Sequence, residues 1–274
     1  MEYLVALLLA VIQGLTEFVP VSSSGHLALT QYFLGFTEPP VAFDLVLHIG
    51  TVVAVFIFYR HDLWKMLQTV KSPMKILAPD MTSESPGKLL LLLMIACVPT
   101  AVIGFLLKSR VESSFSDIRF LAYGFLISAL IMFMTLARRM QTRSLADMNM
   151  GDAVVIGTLQ GVALFPGISR SGSTISAALL LGIRPEVAGR FSFLLSIPAV
   201  VGAVALESKA IATGIGEGNY LLMYLICGLL AGVIGYLSLA PLIRILQKSR
   251  FHYFAIYCGL LGTVLLVYIW HKTT

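Results

Sequence analysis

Apolar runs separated by short polar stretches recur along almost the whole chain of 274 residues. Six of them, at roughly 41–59, 88–107, 119–137, 187–206, 219–239 and 252–270, reach the length of about 20 residues that a helix needs to span a bilayer. Two more, 3–35 and 150–183, follow a different pattern. Each is too long for one span, and each is interrupted midway by a Pro/Gly/Ser cluster, VPVSSSGH at 19–26 and FPGISRSGS at 165–173. The halves are short. This predicts a helix–break–helix that enters the membrane and turns back. Irregular backbone is tolerated at that depth only where protein or a wet cavity surrounds it.

The two interrupted segments are copies of one another. A constant shift of 147 pairs Gln13 with Gln160, Gly14 with Gly161, Phe18 with Phe165, Ser22 with Ser169, Ser24 with Ser171, and Gly25 with Gly172. A shift of 148 then pairs FDLVLHIGTVVAV (43–55) with FSFLLSIPAVVGA (191–203). The chain therefore reads as one integral membrane domain built from two repeats, about 1–140 and 150–274. Each repeat is expected to hold one re-entrant hairpin and three spans. A hairpin returns the chain to its starting side and three spans move it across, so the repeats should have opposite orientations and their breaks should meet near the midplane. The expected fold is an all-α polytopic membrane protein with inverted-topology repeats.

Composition agrees with this. Charged residues make up 12% of the chain, about half the share of an ordinary soluble domain, and the mean hydropathy is +0.90. Only Met1 and Glu2 precede the first apolar run, so no cleavable signal peptide is expected. The net charge of +5 is spread over loops, which reads as an orientation signal and excludes a nucleic-acid surface. Thirteen of the nineteen Lys and Arg fall in one set of loops and five in the other, with Arg170 outside both. The richer side is expected to be cytoplasmic and both termini to lie outside. The segment 71–87, with three prolines, reads as a mobile cytoplasmic loop. Cys97, Cys227 and Cys258 stand alone in apolar runs, without metal or disulfide spacing. Glycine-rich stretches such as GLLAGVIGY (228–236) permit close helix contacts, within one chain or in a homodimer.

Ionisable groups at membrane depth are costly and mark function by default. Here they are Glu17, His26 and Arg170. Asp44 and His48, four apart on one span, read as supporting or cavity-facing groups outside the centre. Gln13 and Glu17 share a helix face. After Pro20, Ser22-Ser23-Ser24-Gly25-His26 opens a second helix, with serine suited to the N-cap and Gly25 to close backbone approach. The second break repeats the device as Ser169-Arg170-Ser171-Gly172-Ser173-Thr174 and adds a guanidinium. Two helix N-termini, hydroxyls and an arginine form a site for a strongly anionic group, and a pyrophosphate is the natural fit. His26 has the chemistry of a general base. One of Ser22, Ser23 and Ser24, with Ser23 preferred, then has that of a nucleophile; attack by an activated water is the alternative. A transporter of anions or lipid would use the same pocket without a nucleophile–base pair.

These residues strongly resemble the undecaprenyl-diphosphate phosphatase family, of the BacA type linked to bacitracin resistance. Its (E/Q)-x-x-x-E motif matches Gln13 to Glu17, its P-V-S-S-(S/T)-G-H motif matches Pro20 to His26, and its P-G-x-S-R-S-x-x-T motif matches Pro166 to Thr174. The likeness extends over essentially the whole chain. It implies hydrolysis of undecaprenyl diphosphate to undecaprenyl phosphate and phosphate. It also implies a divalent cation, Mg²⁺ or Ca²⁺, with Glu17 and Gln13 as candidate contacts, and a site open to the outer face of a bacterial cytoplasmic membrane. The first motif position is Gln13, where some members have Glu, which counts against a metal held jointly by two carboxylates.

Overall fold

The computed structural model describes residues 3–35, 41–71, 84–137, 140–207, 221–248 and 250–273. In hydrocarbon every backbone N–H and C=O must be satisfied within the segment, so the apolar runs become helices. The first interrupted segment forms α1 (Tyr3–Thr16) and α2 (Ser23–Phe33), and the second forms α8 (Met150–Val162) and α9 (Arg170–Leu180). Between them lie α3 (Val41–Phe58), α4 (Arg60–Val70), α5 (Pro86–Leu106), α6 (Lys108–Ser114) and α7 (Ile118–Met134). The chain closes with α10 (Pro185–Leu206), α11 (Leu221–Gln247) and α12 (His252–Thr273). Among the described residues no strand forms; the one bridge pairs Arg143 with Ile183.

Five helices, α5, α7, α10, α11 and α12, are each long and apolar enough to cross a bilayer. The sixth expected span, α3, meets that test only with α4, from which it is bent by 80°. The chain is thus a multi-pass, all-α membrane protein. Helix α11 runs farther than the expected 219–239. It continues through Pro241 because Leu239, Leu242 and Leu246 go on burying one apolar face. The short helices α4 and α6 were not foreseen. The segment 71–87 read as a mobile loop lies mostly outside the described residues.

Without a hydrophobic drive between helices in lipid, packing depends on small residues that let backbones approach. Helix α3 crosses α11 at Gly50, where a Cβ would stand 2.0 Å from the Gly228 carbonyl oxygen. The glycine-rich stretch 228–236 is therefore used within one chain. Helix α1 packs on α11, and its copy α8 packs on α5; α7 packs on α12. Gly35 and Gly182, equivalent under the shift of 147, both take positive φ (76° and 84°) after the second helix of each pair. Arg143 clasps the start of α8 to the turn before α10. Its guanidinium reaches both Asp152 carboxylate oxygens (3.0 and 2.6 Å) and the Leu181 carbonyl (2.9 Å).

Candidate active site

Both breaks fall where the sequence places them, and serine closes each. Ser22 Oγ accepts from Gly25 N at 3.2 Å, and Ser169 Oγ accepts from Gly172 N at 3.0 Å. Each capping serine satisfies an amide that the helix start would otherwise leave unpaired. The backbones differ. Ser169 is extended (φ −71°), whereas Ser22 is held at φ +68°, a region that non-glycine residues rarely occupy. The second break is anchored on α7. Ser128 Oγ donates to the Gly167 carbonyl at 3.1 Å and accepts from Ser169 N at 2.8 Å.

Glu17, only 6% exposed, is the centre of the arrangement. Ser23 Oγ donates to its Oε2 at 2.6 Å and Gln13 Nε2 donates to the same oxygen at 2.9 Å. Arg170 Nη2 donates to Oε1 from the other break. His48 Nε2, from α3, lies 3.6 Å from Oε2. The first residues of α2 and α9 thus meet on one carboxylate. A buried charge needs such pairing, because an isolated carboxylate at this depth would be very costly. The guanidinium is not saturated by the protein: Arg170 Nη1 is buried without a hydrogen-bond partner and can still donate to an acceptor oxygen.

Other expected members are placed differently. His26 does not stand at Ser23. Its Nδ1 contacts the Ser22 carbonyl at 2.8 Å, which can only accept, so that nitrogen carries the hydrogen. Its Nε2 meets the Tyr257 hydroxyl of α12 at 2.7 Å. Both ring nitrogens are therefore engaged, and the group on Ser23 is Glu17. Thr174 is tied into the α9–α10 contact, with its Oγ1 2.6 Å from Ser192 Oγ. Ser24 and Ser171 lie 3.5 and 3.4 Å from the capping hydroxyls of Ser22 and Ser169. Ser173 Oγ is buried and unpartnered. Gly25 and Gly172 donate the capped amides.

His48 is the residue that sequence reasoning set aside. The signal was available: under the shift of 148 it stands opposite Ser196, and Asp44 opposite Ser192. The first copy is ionisable there and the second is not, as with Glu17 against Leu164. Asp44 is held by Gln31 Nε2 at 3.0 and 3.1 Å, and the Asp44 carbonyl accepts from His48 Nδ1 at 2.8 Å.

For a divalent cation, the hard oxygen donors near Glu17 are its own carboxylate and Gln13 Oε1, which is buried without a partner. Among the described residues no three His, Cys, Asp or Glu side chains gather as a metal cluster. These donors fall short of the six or more oxygens that Mg²⁺ or Ca²⁺ requires, leaving the rest to phosphate and water.

The comparison with known proteins follows the same motifs. Residues 6–264 match the family model of bacitracin resistance protein BacA. The chain belongs to that family. It is 42% identical to an undecaprenyl-diphosphatase of Desulfosudis oleivorans, over 97% of this chain and 98% of the relative. It is 38% identical to one of Desulforapulum autotrophicum and 36% identical to one of Methanosphaera stadtmanae, each over 97% of this chain and 98% of the relative.

Proposed function

We propose that the chain is an undecaprenyl-diphosphate phosphatase, returning undecaprenyl phosphate to cell-wall synthesis and so conferring bacitracin resistance. The observation that carries this is the shared carboxylate. Ser23 of one break and Arg170 of the other both engage Glu17, which brings a hydroxyl, a base and a phosphate-binding cation to one point.

Ser23 Oγ attacks the terminal phosphorus and Glu17 Oε2, its hydrogen-bond partner, takes its proton. The anhydride P–O bond breaks, and undecaprenyl phosphate leaves with the electron pair. Water then displaces Ser23 Oγ from phosphorus, the proton on Glu17 returns to Ser23, and inorganic phosphate departs with the water's oxygen and protons. Arg170 Nη1, unpartnered at present, gains a phosphate oxygen, and the N-termini of α2 and α9 favour the same negative charge. His26 holds the first turn of α2 in place. A divalent cation, borne on the diphosphate and touching Glu17 and Gln13, would neutralise phosphate charge. The repeats are read as inverted because one re-entrant hairpin and three spans leave the second copy starting on the opposite face; the α1–α11 and α8–α5 contacts, equivalent in the two copies, support the duplication itself. The positive-inside count supports termini on the outer face of the cytoplasmic membrane, and the family likeness supports a site that opens to the same face.

The test is phosphate release from undecaprenyl diphosphate by the purified protein in detergent, with and without EDTA, beside Glu17→Ala and Arg170→Ala. Release that both substitutions abolish supports the two-break site. Release that survives EDTA removes the cation. Lipid or anion transport in vesicles without phosphate release would replace the phosphatase with a transporter.

A further inference from the structure

A substrate with a polyprenyl tail cannot leave the bilayer, so its headgroup must reach Glu17 through a side wall of the helix bundle. The walls are not alike. Helices α3 and α11 are closed backbone to backbone at Gly50 and Gly228. A Cβ on Gly14 would stand 2.8 Å from the Ala231 carbonyl oxygen, so α1 is equally tight on α11. A Cβ on Gly157 would stand 2.0 Å from the Ala96 carbonyl oxygen, locking α8 on α5. Helix α12 is locked on α7 in the same way, since a Cβ on Gly262 would stand 2.9 Å from the Ala122 carbonyl oxygen.

The seam between α2 and α12 is built differently. Both helices pack on α7, and they share no backbone packing comparable to either of those contacts. They meet through long side chains instead. His26 stacks on Tyr257 with ring centroids 5.7 Å apart and is hydrogen-bonded to it. Phe33 meets Tyr268 edge to face at 5.5 Å. Lys272 Nζ donates to the Tyr32 hydroxyl at 2.9 Å and sits over its ring. These rungs remain open to the surroundings: Phe33 is 57% exposed, Tyr257 44% and Tyr268 37%. Side-chain rotations on the nanosecond scale can part such contacts, whereas a glycine-locked crossing must move a whole helix. The innermost rung is His26, three residues from Ser23. The floor behind it is Phe125 of α7, fully buried and edge-on to His26 at 5.4 Å.

We infer that the α2–α12 seam is the lateral entrance for the lipid substrate, and that its polyprenyl chain lies between these helices during turnover, with the His26–Tyr257 pair as the inner latch. This rests on the phosphatase reading given above. The ladder then has a purpose that simple packing would not require: it seals an apolar slot while idle and is replaced, rung by rung, by an apolar chain.

The test uses the full chain with Cys97, Cys227 and Cys258 replaced by alanine and with Phe33→Cys and Tyr268→Cys introduced. A short thiol-reactive linker containing a reducible bond joins the two positions. Phosphate release is measured with undecaprenyl diphosphate and with water-soluble geranyl diphosphate, which can enter from the aqueous mouth. Linking is expected to lower kcat/KM for the long-chain substrate by about tenfold or more, to leave the short-chain rate within about twofold, and to be reversed on reduction. Equal rates for the long-chain substrate before and after linking would overturn the entrance. So would an equal fall for both substrates, since the linker would then be acting on the site itself. Capture of a second copy of the chain at these positions, in place of the internal link, would make the seam a dimer contact and also overturn it. Absence of release from either substrate before linking would instead refute the phosphatase reading.

Discussion

Where the first break carries Glu17, Ser23 and His26, the second carries Leu164, Arg170 and Ser173 at the equivalent positions. The capping serines and the following glycines are common to both, and so is the hydrogen bond that joins them. What is shared builds the scaffold: a helix that stops at mid-depth and a second helix that starts there. What differs builds the chemistry. In the proposed reaction the base and the hydroxyl lie on one copy, and the guanidinium reaches across from the other. The same division extends into the following span, where Asp44 and His48 face Ser192 and Ser196 across the alignment. In the second copy these serines make only local and packing contacts, Ser192 with Thr174 and Ser196 with the Phe193 carbonyl. A duplicated device has kept its architecture twice and its reactive groups once.

The most direct way to break that division is at the Arg170–Glu17 ion pair, which joins the two breaks. Arg170→Lys keeps the positive charge and loses the fork, so one amine must serve both Glu17 and the incoming phosphate. We expect kcat to fall by about 10²–10³, the usual cost of removing one preorganised donor to developing negative charge. Phosphate release under saturating substrate measures it. A lysine variant with near-normal kcat would mean that Nη1 has no role in the reaction.

A smaller effect is expected at His48. It is the fourth group around Glu17 and lies 3.6 Å from Oε2, whereas Arg170 donates to Oε1. His48→Ala should lower kcat roughly tenfold, the scale of one charge-assisted contact, with KM little changed if the imidazole acts only through Glu17. His48→Gln, whose amide can still donate to Glu17, should recover most of that loss. Equal losses in the two variants would assign His48 to packing alone.

The breaks, the serine caps and five of the six spans were legible in the sequence, as was the choice of Glu17 and Arg170 as candidate groups, though not their direct contact. They follow from local rules, namely hydrophobic length, Pro/Gly interruption and the rarity of charge in lipid, and the duplication reinforced each of them. The partner of His26 was not legible. It sits 231 residues away on α12, and Tyr257 in an apolar span reads as one more aromatic. Nor could the sequence say that Ser23 would turn to Glu17 in preference to His26. Residues 23 and 26 are three apart on one helix and within reach of each other, but Ser23 is taken by Glu17 and His26 by the Ser22 carbonyl and Tyr257, and only the fold of the preceding break decides which hydroxyl meets the carboxylate. Bend and extent were missed for a similar reason. The 80° turn between α3 and α4 and the continuation of α11 through Pro241 depend on the neighbours that bury Met66, Leu242 and Leu246.

The finest comparison is between the two capping serines. Ser22 and Ser169 make the same cap, but only Ser22 does so at φ +68°. Replacing either by glycine removes the cap and adds the same flexibility to the unfolded chain, so those costs cancel between the variants. The remainder is the strain at Ser22, about 1–2 kcal/mol for a non-glycine residue in this region, which glycine relieves. Ser22→Gly should therefore be more stable than Ser169→Gly by about that amount, seen as a higher thermal midpoint in the same detergent. Turnover should move the opposite way. The strained cap fixes the residue before Ser23, and a glycine there lets the hydroxyl wander from Glu17, so Ser22→Gly should be the more stable protein and the slower enzyme. Equal midpoints would show that the first break holds no more strain than the second, and the asymmetry between the copies would then lie in their side chains alone.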